Sequence, residues 1–198
     1  MILWINGTFG SGKTTLSYEL NDRIEGSFRY DPEKLGSHLM RTIPANVAEN
    51  DFQKYQAWRT MVCSMILELS MRLQGKIIIV PMTLTNKDYR HEIFSALKSN
   101  GLEVHEVLLE IKEDKLLKLL QSRMETKSSW AYKQFEYKKN EIKQIDTFKL
   151  DVNERSIDDV AETVISHFNL PARADQRGIL QKKCKRMINK FRESFYFK

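Results

Sequence analysis

Cysteine is scarce in this chain. Cys63 and Cys184 stand far apart, with no Cys-x-x-Cys pair and no Cys/His cluster around either. A disulfide framework and a zinc site are therefore not expected, and a reducing compartment is. Long apolar runs are missing as well: no stretch approaches the ~18 residues of a membrane-spanning helix. The sequence opens directly on the short apolar run Met1 to Ile5, with no basic segment before it, so a signal peptide is not expected. His38, His91, His105 and His167 form no spaced pair and suggest no metal role.

What remains is ordinary globular composition, 41% hydrophobic and 29% charged over 198 residues, enough for one α/β domain with a sizeable core. The net charge of +6 is localised. From Ile179 to Lys198 seven basic residues meet one acid, Glu193, so this stretch carries the whole excess and the first 178 residues balance. A neutral body gives no reason to expect a nucleic-acid partner. The expected division is a body over 1–172 and a basic tail over 173–198, with the composition changing near Pro171.

Strand and helix patterns alternate along the body. Strands are expected at Met1–Asn6, Phe28–Tyr30, Lys76–Val80, Glu103–Leu109 and Phe148–Val152. Helices are expected at Thr14–Ile24, Glu33–Thr42, Asp51–Leu73, Lys87–Asn100, Glu113–Glu125 and Ile157–Phe168. The run Lys76–Val80 (KIIIV) has the unbroken apolarity of a central parallel strand. The alternation predicts an α/β fold, a doubly wound five-stranded parallel sheet.

Gly7-Thr8-Phe9-Gly10-Ser11-Gly12-Lys13-Thr14 matches G-x-x-x-x-G-K-[ST], and it follows a strand and opens a helix, as a phosphate loop must. Gly10 and Gly12 let successive backbone N–H groups turn toward a phosphate, and the helix adds its positive end. Gly7, Phe9, Gly10, Ser11, Gly12, Lys13, Thr14 and Thr15 are thus the candidate nucleotide-binding residues. Lys13 would reach the β- and γ-phosphates, and Thr14 would hold Mg²⁺. Asn86-Lys87-Asp88 fails as a guanine-reading motif because its aspartate comes one residue early, and no Asp-x-x-Gly switch follows the third strand. The expected cofactors are ATP and Mg²⁺, in a P-loop protein of the nucleotide and shikimate kinase type.

The third strand runs into Pro81-Met82-Thr83 without a carboxylate to help hold magnesium. Asp31, in Tyr30-Asp31-Pro32-Glu33, is the candidate replacement, since it ends the second strand at the ligand-binding edge of such a sheet. It reads either as a catalytic base and metal ligand or as a helix cap before Pro32. Glu33 reads as a substrate contact or as a first-turn acid. Arg123, ahead of Lys127-Ser128-Ser129-Trp130, occupies the natural lid position, and its second reading is a surface cation at a helix end. Arg41, Arg59 and Thr83 are candidate acceptor contacts, whereas Trp58 fits an apolar helix stripe and reads as core. In the tail, Leu180, Cys184, Met187, Ile188, Phe191 and Phe195 share one helix face opposite the basic residues. That helix either contacts an anionic membrane surface or docks its apolar face on the body and leaves its basic face in solvent.

Trp4-Ile5-Asn6-Gly7, Phe9–Thr14, Tyr30-Asp31-Pro32-Glu33-Lys34, Asp51-Phe52-Gln53, Val80-Pro81-Met82-Thr83 and Ser129-Trp130-Ala131 resemble the ATP-binding tunicamycin resistance proteins of bacteria. The resemblance continues through Ser156–Glu162 and Arg177-Gly178, so it covers nearly the whole chain. It implies a fold like adenylate, shikimate and chloramphenicol kinases, a cytoplasmic location, and a link to tunicamycin, a lipophilic nucleoside antibiotic. In the similar chloramphenicol phosphotransferases an aspartate after the second strand acts as base, and Asp31 is the matching position. The resulting expectation is transfer of the ATP γ-phosphate to a hydroxyl of tunicamycin or a similar nucleoside-like molecule. Lys13 and Arg123 would stabilise the moving group, and residues 179–198 would touch the inner face of the membrane. ATP-dependent sequestration of the drug without turnover, and a housekeeping nucleoside or nucleotide kinase, are the alternatives.

Overall fold

The computed structural model of the chain describes residues 1–121 and 130–196. β1 (Ile2–Gly7) is buried along its whole length. Leu3 and Ile5 pack with Leu16, Leu20 and Val164 on one side of the sheet, and Ile2 and Trp4 with Trp58, Val62 and Ile66 on the other. A strand covered on both faces needs apolar side chains at successive positions, which is why this run does not alternate with polar residues.

β1 is the middle of a five-stranded sheet in the order β2 (Phe28–Arg29), β3 (Ile78–Pro81), β1, β4 (Val104–Glu110), β5 (Phe148–Asp151), and every pairing is parallel. Ile5 of β1 pairs with Pro81, and Arg29 with Ile79, so Gly7, Asp31 and Thr83 leave the sheet at one edge. α1 (Lys13–Arg23) and α7 (Ile157–His167) cover one face; α3 (Gln56–Arg72) and α4 (Lys87–Ser99) cover the other. The expected doubly wound five-stranded sheet is the observed one.

Three elements differ from expectation. The helix expected over Asp51–Leu73 is divided. Asp51 caps a 3-10 turn at Phe52–Lys54 by accepting from the Gln53 N–H at 3.0 Å, and Tyr55 is extended before α3 begins at Gln56. A helix absent from the expectation, α6 (Trp130–Lys143), lays Ile142 on Leu108 of β4 and packs Phe135 against Leu116. Leu116 belongs to α5 (Glu113–Gln121).

The third difference is the tail. Helix α8 (Ile179–Tyr196) docks on the body by charge, the reverse of the packed-apolar reading. Arg186 meets Glu19 at 3.0 Å and Asp158 at 2.6 Å, Lys182 meets Asp175 at 2.7 Å, and Lys185 meets Asp22 at 2.7 Å. Arg177, just before the helix, adds pairs to Glu19, Asp22 and Asp175. The opposite face is left outward, with Leu180 76% and Phe191 66% exposed alongside Met187 and Ile188. The α1 surface explains the inversion: Glu19 and Asp22 offer carboxylates where an apolar helix face would find no complement.

Candidate active site

The loop between β1 and α1 is shaped by glycine. Gly7, Gly10 and Gly12 have φ of 147°, 82° and 97°. A Cβ on Gly7 would lie 2.6 Å from Ser11 Oγ, and one on Gly10 would lie 2.6 Å from Leu116 Cδ1. Both positions therefore require glycine for conformation and for space. α1 starts at Lys13 behind Gly12, with no side-chain cap, so its first N–H groups are left for a ligand. Asn6 anchors the loop from below. Its carbonyl oxygen accepts from the N–H groups of Gly7 and Leu84, and its amide donates to Leu84 O and Glu106 Oε1. Thr83 Oγ1 donates to Gly7 O at 2.8 Å, which ties the loop to the end of β3.

Lys13 is buried and donates to Thr8 O at 3.0 Å. Burial pushes its ammonium below the ordinary 10.5, against the upward pull of the Glu33 and Asp31 carboxylates. Thr8 Oγ1 and Ser11 Oγ are buried without a hydrogen-bond partner among the described residues. A curled backbone, an uncapped helix start, a buried lysine and two partnerless hydroxyls form a donor-rich cradle, which fits the phosphates of a nucleotide.

Beside this cradle opens a cavity of about 1130 Å³. Phe9, Thr14 and Thr15 line it on the loop side, and Glu33 and Ser37 of α2 (Pro32–Thr42) line it opposite, with Met82 and Thr83 between. Desolvation raises the Glu33 carboxyl above 4.5, against the charge of Lys13 and the pull of the Thr83 backbone N–H. Asp31 is oriented differently. One carboxylate oxygen caps α2 by accepting from the Glu33 N–H at 3.1 Å, and the other pairs with Arg29 at 2.8 Å. Asp31 lines a separate hollow with Phe28, Tyr30 and Met65, and burial raises its carboxyl above 3.8. Arg29 also binds Ser17 Oγ at 2.7 Å and Glu193 of α8 at 3.3 Å.

The structure therefore brings Thr14, Glu33 and Thr83 together around one space, with Lys13 behind the loop and coupled to Glu33 by charge. Arg59 is held elsewhere: it donates to Glu92 and to the carbonyls of Gln53 and Lys54, and it stacks on Tyr89 at 4.2 Å. Arg41 is exposed in the last turn of α2, outside the lining of the cavity. Trp58 is core, donating to Pro32 O at 3.2 Å. Arg123, with Lys127, Ser128 and Ser129, lies outside the described residues. Sequence reasoning missed the cations that line this cavity, the tail's Arg177, Lys182, Lys185, Arg186 and Lys190 and also Lys138. Lys138 of α6, 7% exposed, lines the cavity, acts electrostatically on Lys13, and stands 3.4 Å from Asp51. Its signal was faint, because lysine in a lysine-rich stretch reads as solvated surface.

No family model matches the chain, and no curated protein sequence matches it. Solved structures do. The tunicamycin resistance protein of Deinococcus radiodurans matches with a TM-score of 0.71 at 27% identity, over 88% of this chain and 98% of that one. A sugar kinase from Janibacter matches at 0.62 and 12% identity, over 86% and 95%. A gluconokinase from Sinorhizobium meliloti matches at 0.58 and 14% identity, over 84% and 90%. The chain has a P-loop kinase fold. That fold puts the phosphate cradle and the neighbouring cavity where α/β sheets bind ligands, beyond the carboxyl ends of the strands. The likenesses show the fold, and the cradle in it fits the phosphates of a nucleotide.

Proposed function

We propose that the chain uses ATP to phosphorylate a hydroxyl of tunicamycin or of a similar nucleoside-like molecule. The observation that carries this is that Glu33 and Thr83 line a cavity large enough for a drug-sized acceptor, with Lys13 of the phosphate loop coupled to Glu33 by charge. The likeness to the Deinococcus protein supplies the drug, and the fold supplies the reaction class. Mg²⁺ bound with ATP would neutralise phosphate oxygens, with Thr14 as its protein ligand. Lys13 and Lys138 carry the positive charge that offsets the moving group, and Arg123 remains a candidate third cation. Glu33 takes the proton from the acceptor hydroxyl as its oxygen bonds to the γ-phosphorus and the bond from that phosphorus to the ADP oxygen breaks. A raised carboxyl pKa suits a base that must accept that proton. Asp31 holds the start of α2, and so holds Glu33 two residues on.

A second reading, ATP-dependent sequestration without turnover, is favoured by one observation: β3 leads into Met82 and Thr83, with no carboxylate there to join Thr14 on the metal. Mass spectrometry of tunicamycin incubated with protein and Mg·ATP separates the two. An added phosphate mass that is absent with Lys13→Ala supports the kinase. Unchanged drug that binds only with ATP supports sequestration.

Among the described residues no helix is long and apolar enough to cross a membrane. The proposal includes a peripheral contact. α8 turns Leu180, Met187, Ile188 and Phe191 outward, and helical geometry sets exposed Lys183, Lys190 and Arg192 along the flanks of that stripe. This is the make-up of a helix lying in an anionic headgroup layer, which on this reading is the inner face of the membrane. Flotation with phosphatidylglycerol vesicles but not phosphatidylcholine vesicles is the expected result; equal recovery with both would remove the proposal.

A further inference from the structure

The cavity has a wall that the phosphate loop does not explain. α8 runs antiparallel to α1: Lys185 meets Asp22, Arg186 meets Glu19, and Glu193 accepts from the Tyr18 hydroxyl at 2.6 Å. Asn189 falls between these anchors, about one turn from Arg186 and one from Glu193. Its anchors therefore put it beside Tyr18 and Glu19, a little over one turn of α1 beyond Thr14, a separation of ~6–8 Å.

Asn189 is only 9% exposed, it lines the cavity, and among the described residues it has no hydrogen-bond partner. Its carboxamide atoms are not sealed in the protein, so they open on the cavity, where a ligand that enters can take over the hydrogen bonds water would make. Another buried amide of the same cavity, Gln53, is already engaged with Thr83 O. Asn189 also sits on a helix held by ion pairs on either side, so its position is set by contacts independent of the ligand.

We infer that α8 is a wall of the acceptor site and that Asn189 is its specificity-determining contact. A carboxamide presents one acceptor oxygen beside two donor hydrogens. Its complement is a ligand group that carries a donor and an acceptor side by side, such as an amide or imide edge or a vicinal pair of hydroxyls. The inference rests on the phosphotransfer reading above and adds to it the part of the acceptor that is read and the residue that reads it.

Calorimetric titration of tunicamycin into full-length protein with Mg·AMPPNP tests it, on wild type, Asn189→Leu and Asn189→Ser. The expected result is drug affinity at least tenfold weaker in both variants, with AMPPNP affinity within twofold and the melting temperature unchanged. A lower melting temperature together with weaker AMPPNP binding would mark Asn189 as structural and overturn the inference. Unaltered drug affinity would overturn it while leaving the phosphotransfer reading intact. Wild-type protein that binds AMPPNP but no drug would overturn the acceptor reading, and this inference with it.

Discussion

Replacing Glu33 by Gln and Asp31 by Asn, one at a time, asks which carboxylate takes the proton. Glu33 lines the cavity, acts electrostatically on Lys13, and feels the Thr83 N–H. Gln keeps the size and an acceptor oxygen for that N–H but cannot take up a proton. Loss of a general base costs about 10²–10⁴-fold in rate, or ~3–5 kcal/mol of barrier. Glu33→Gln should therefore lower kcat by that factor with AMPPNP affinity nearly unchanged. Asp31 is directed at the α2 cap and at Arg29. Asn caps a helix as well as Asp does, and Arg29 keeps Glu193 and Ser17. Asp31→Asn should then keep kcat within about tenfold of wild type, since no proton transfer is lost. The assay is ADP release with tunicamycin as acceptor, across pH. Because the working form of Glu33 is ionised and its pKa is raised, kcat/KM should climb with pH along a limb lying above 4.5. That limb should disappear in Glu33→Gln. A silent Glu33→Gln beside a dead but well-folded Asp31→Asn would refute the reasoning and return the base to Asp31.

Other perturbations probe the cradle, the Lys138 cation and the tail. Gly10→Ala puts a methyl 2.6 Å from Leu116 Cδ1 at a φ of 82°, so AMPPNP titration should show at least tenfold weaker binding, and the strain should cost ~1–2 kcal/mol of stability. Lys138→Met should lower kcat by about 10²-fold, the scale of one lost electrostatic contact to the moving group, while Lys138→Arg restores part of it. Glu19→Gln removes the carboxylate, 4% exposed, that serves Arg177 and Arg186. Because those arginines are only partly buried, the loss should be ~2 kcal/mol rather than the full cost of a deeply buried pair, seen as a fall of ~4–8 °C in thermal unfolding.

The parts legible in the sequence were those where one physical demand dominates. β1 and β3 had to be apolar to lie between two helical layers, and the phosphate loop had to spend its glycines where Ser11 and Leu116 press on the backbone. The acceptor side was less legible. α6 buries few side chains, among them Phe135, Lys138 and Ile142, and this sparse spacing is hidden by the charges between them. Arg59 looked available for a ligand because nothing local shows that Glu92, 33 residues on, and the turn carbonyls will claim it. Which way Asp31 and Glu33 point depends on rotation at the start of α2, set by the cap and by Arg29. The tail inverted the usual expectation because its partner surface is itself charged. The acids that decide this, Glu19, Asp22, Asp158 and Asp175, are dispersed along the chain, so their convergence becomes visible only in the fold.

The charged seam beneath α8 gives this protein two stabilities that respond to different conditions. Denaturant slopes and unfolding heat capacities track the apolar surface released. Detaching a helix whose contacts are guanidinium, ammonium and carboxylate groups releases little of it. The slope of a urea titration and the heat capacity of unfolding will therefore report the sheet and its two cores and carry little of the tail, although losing the seam still lowers the midpoint. Salt will do the opposite. Shortening the Debye length from about 10 Å at 0.1 M to about 3 Å at 1 M weakens the seam while leaving the apolar cores in place. Helix α8 thus answers to ionic strength in a way that the apolar cores do not.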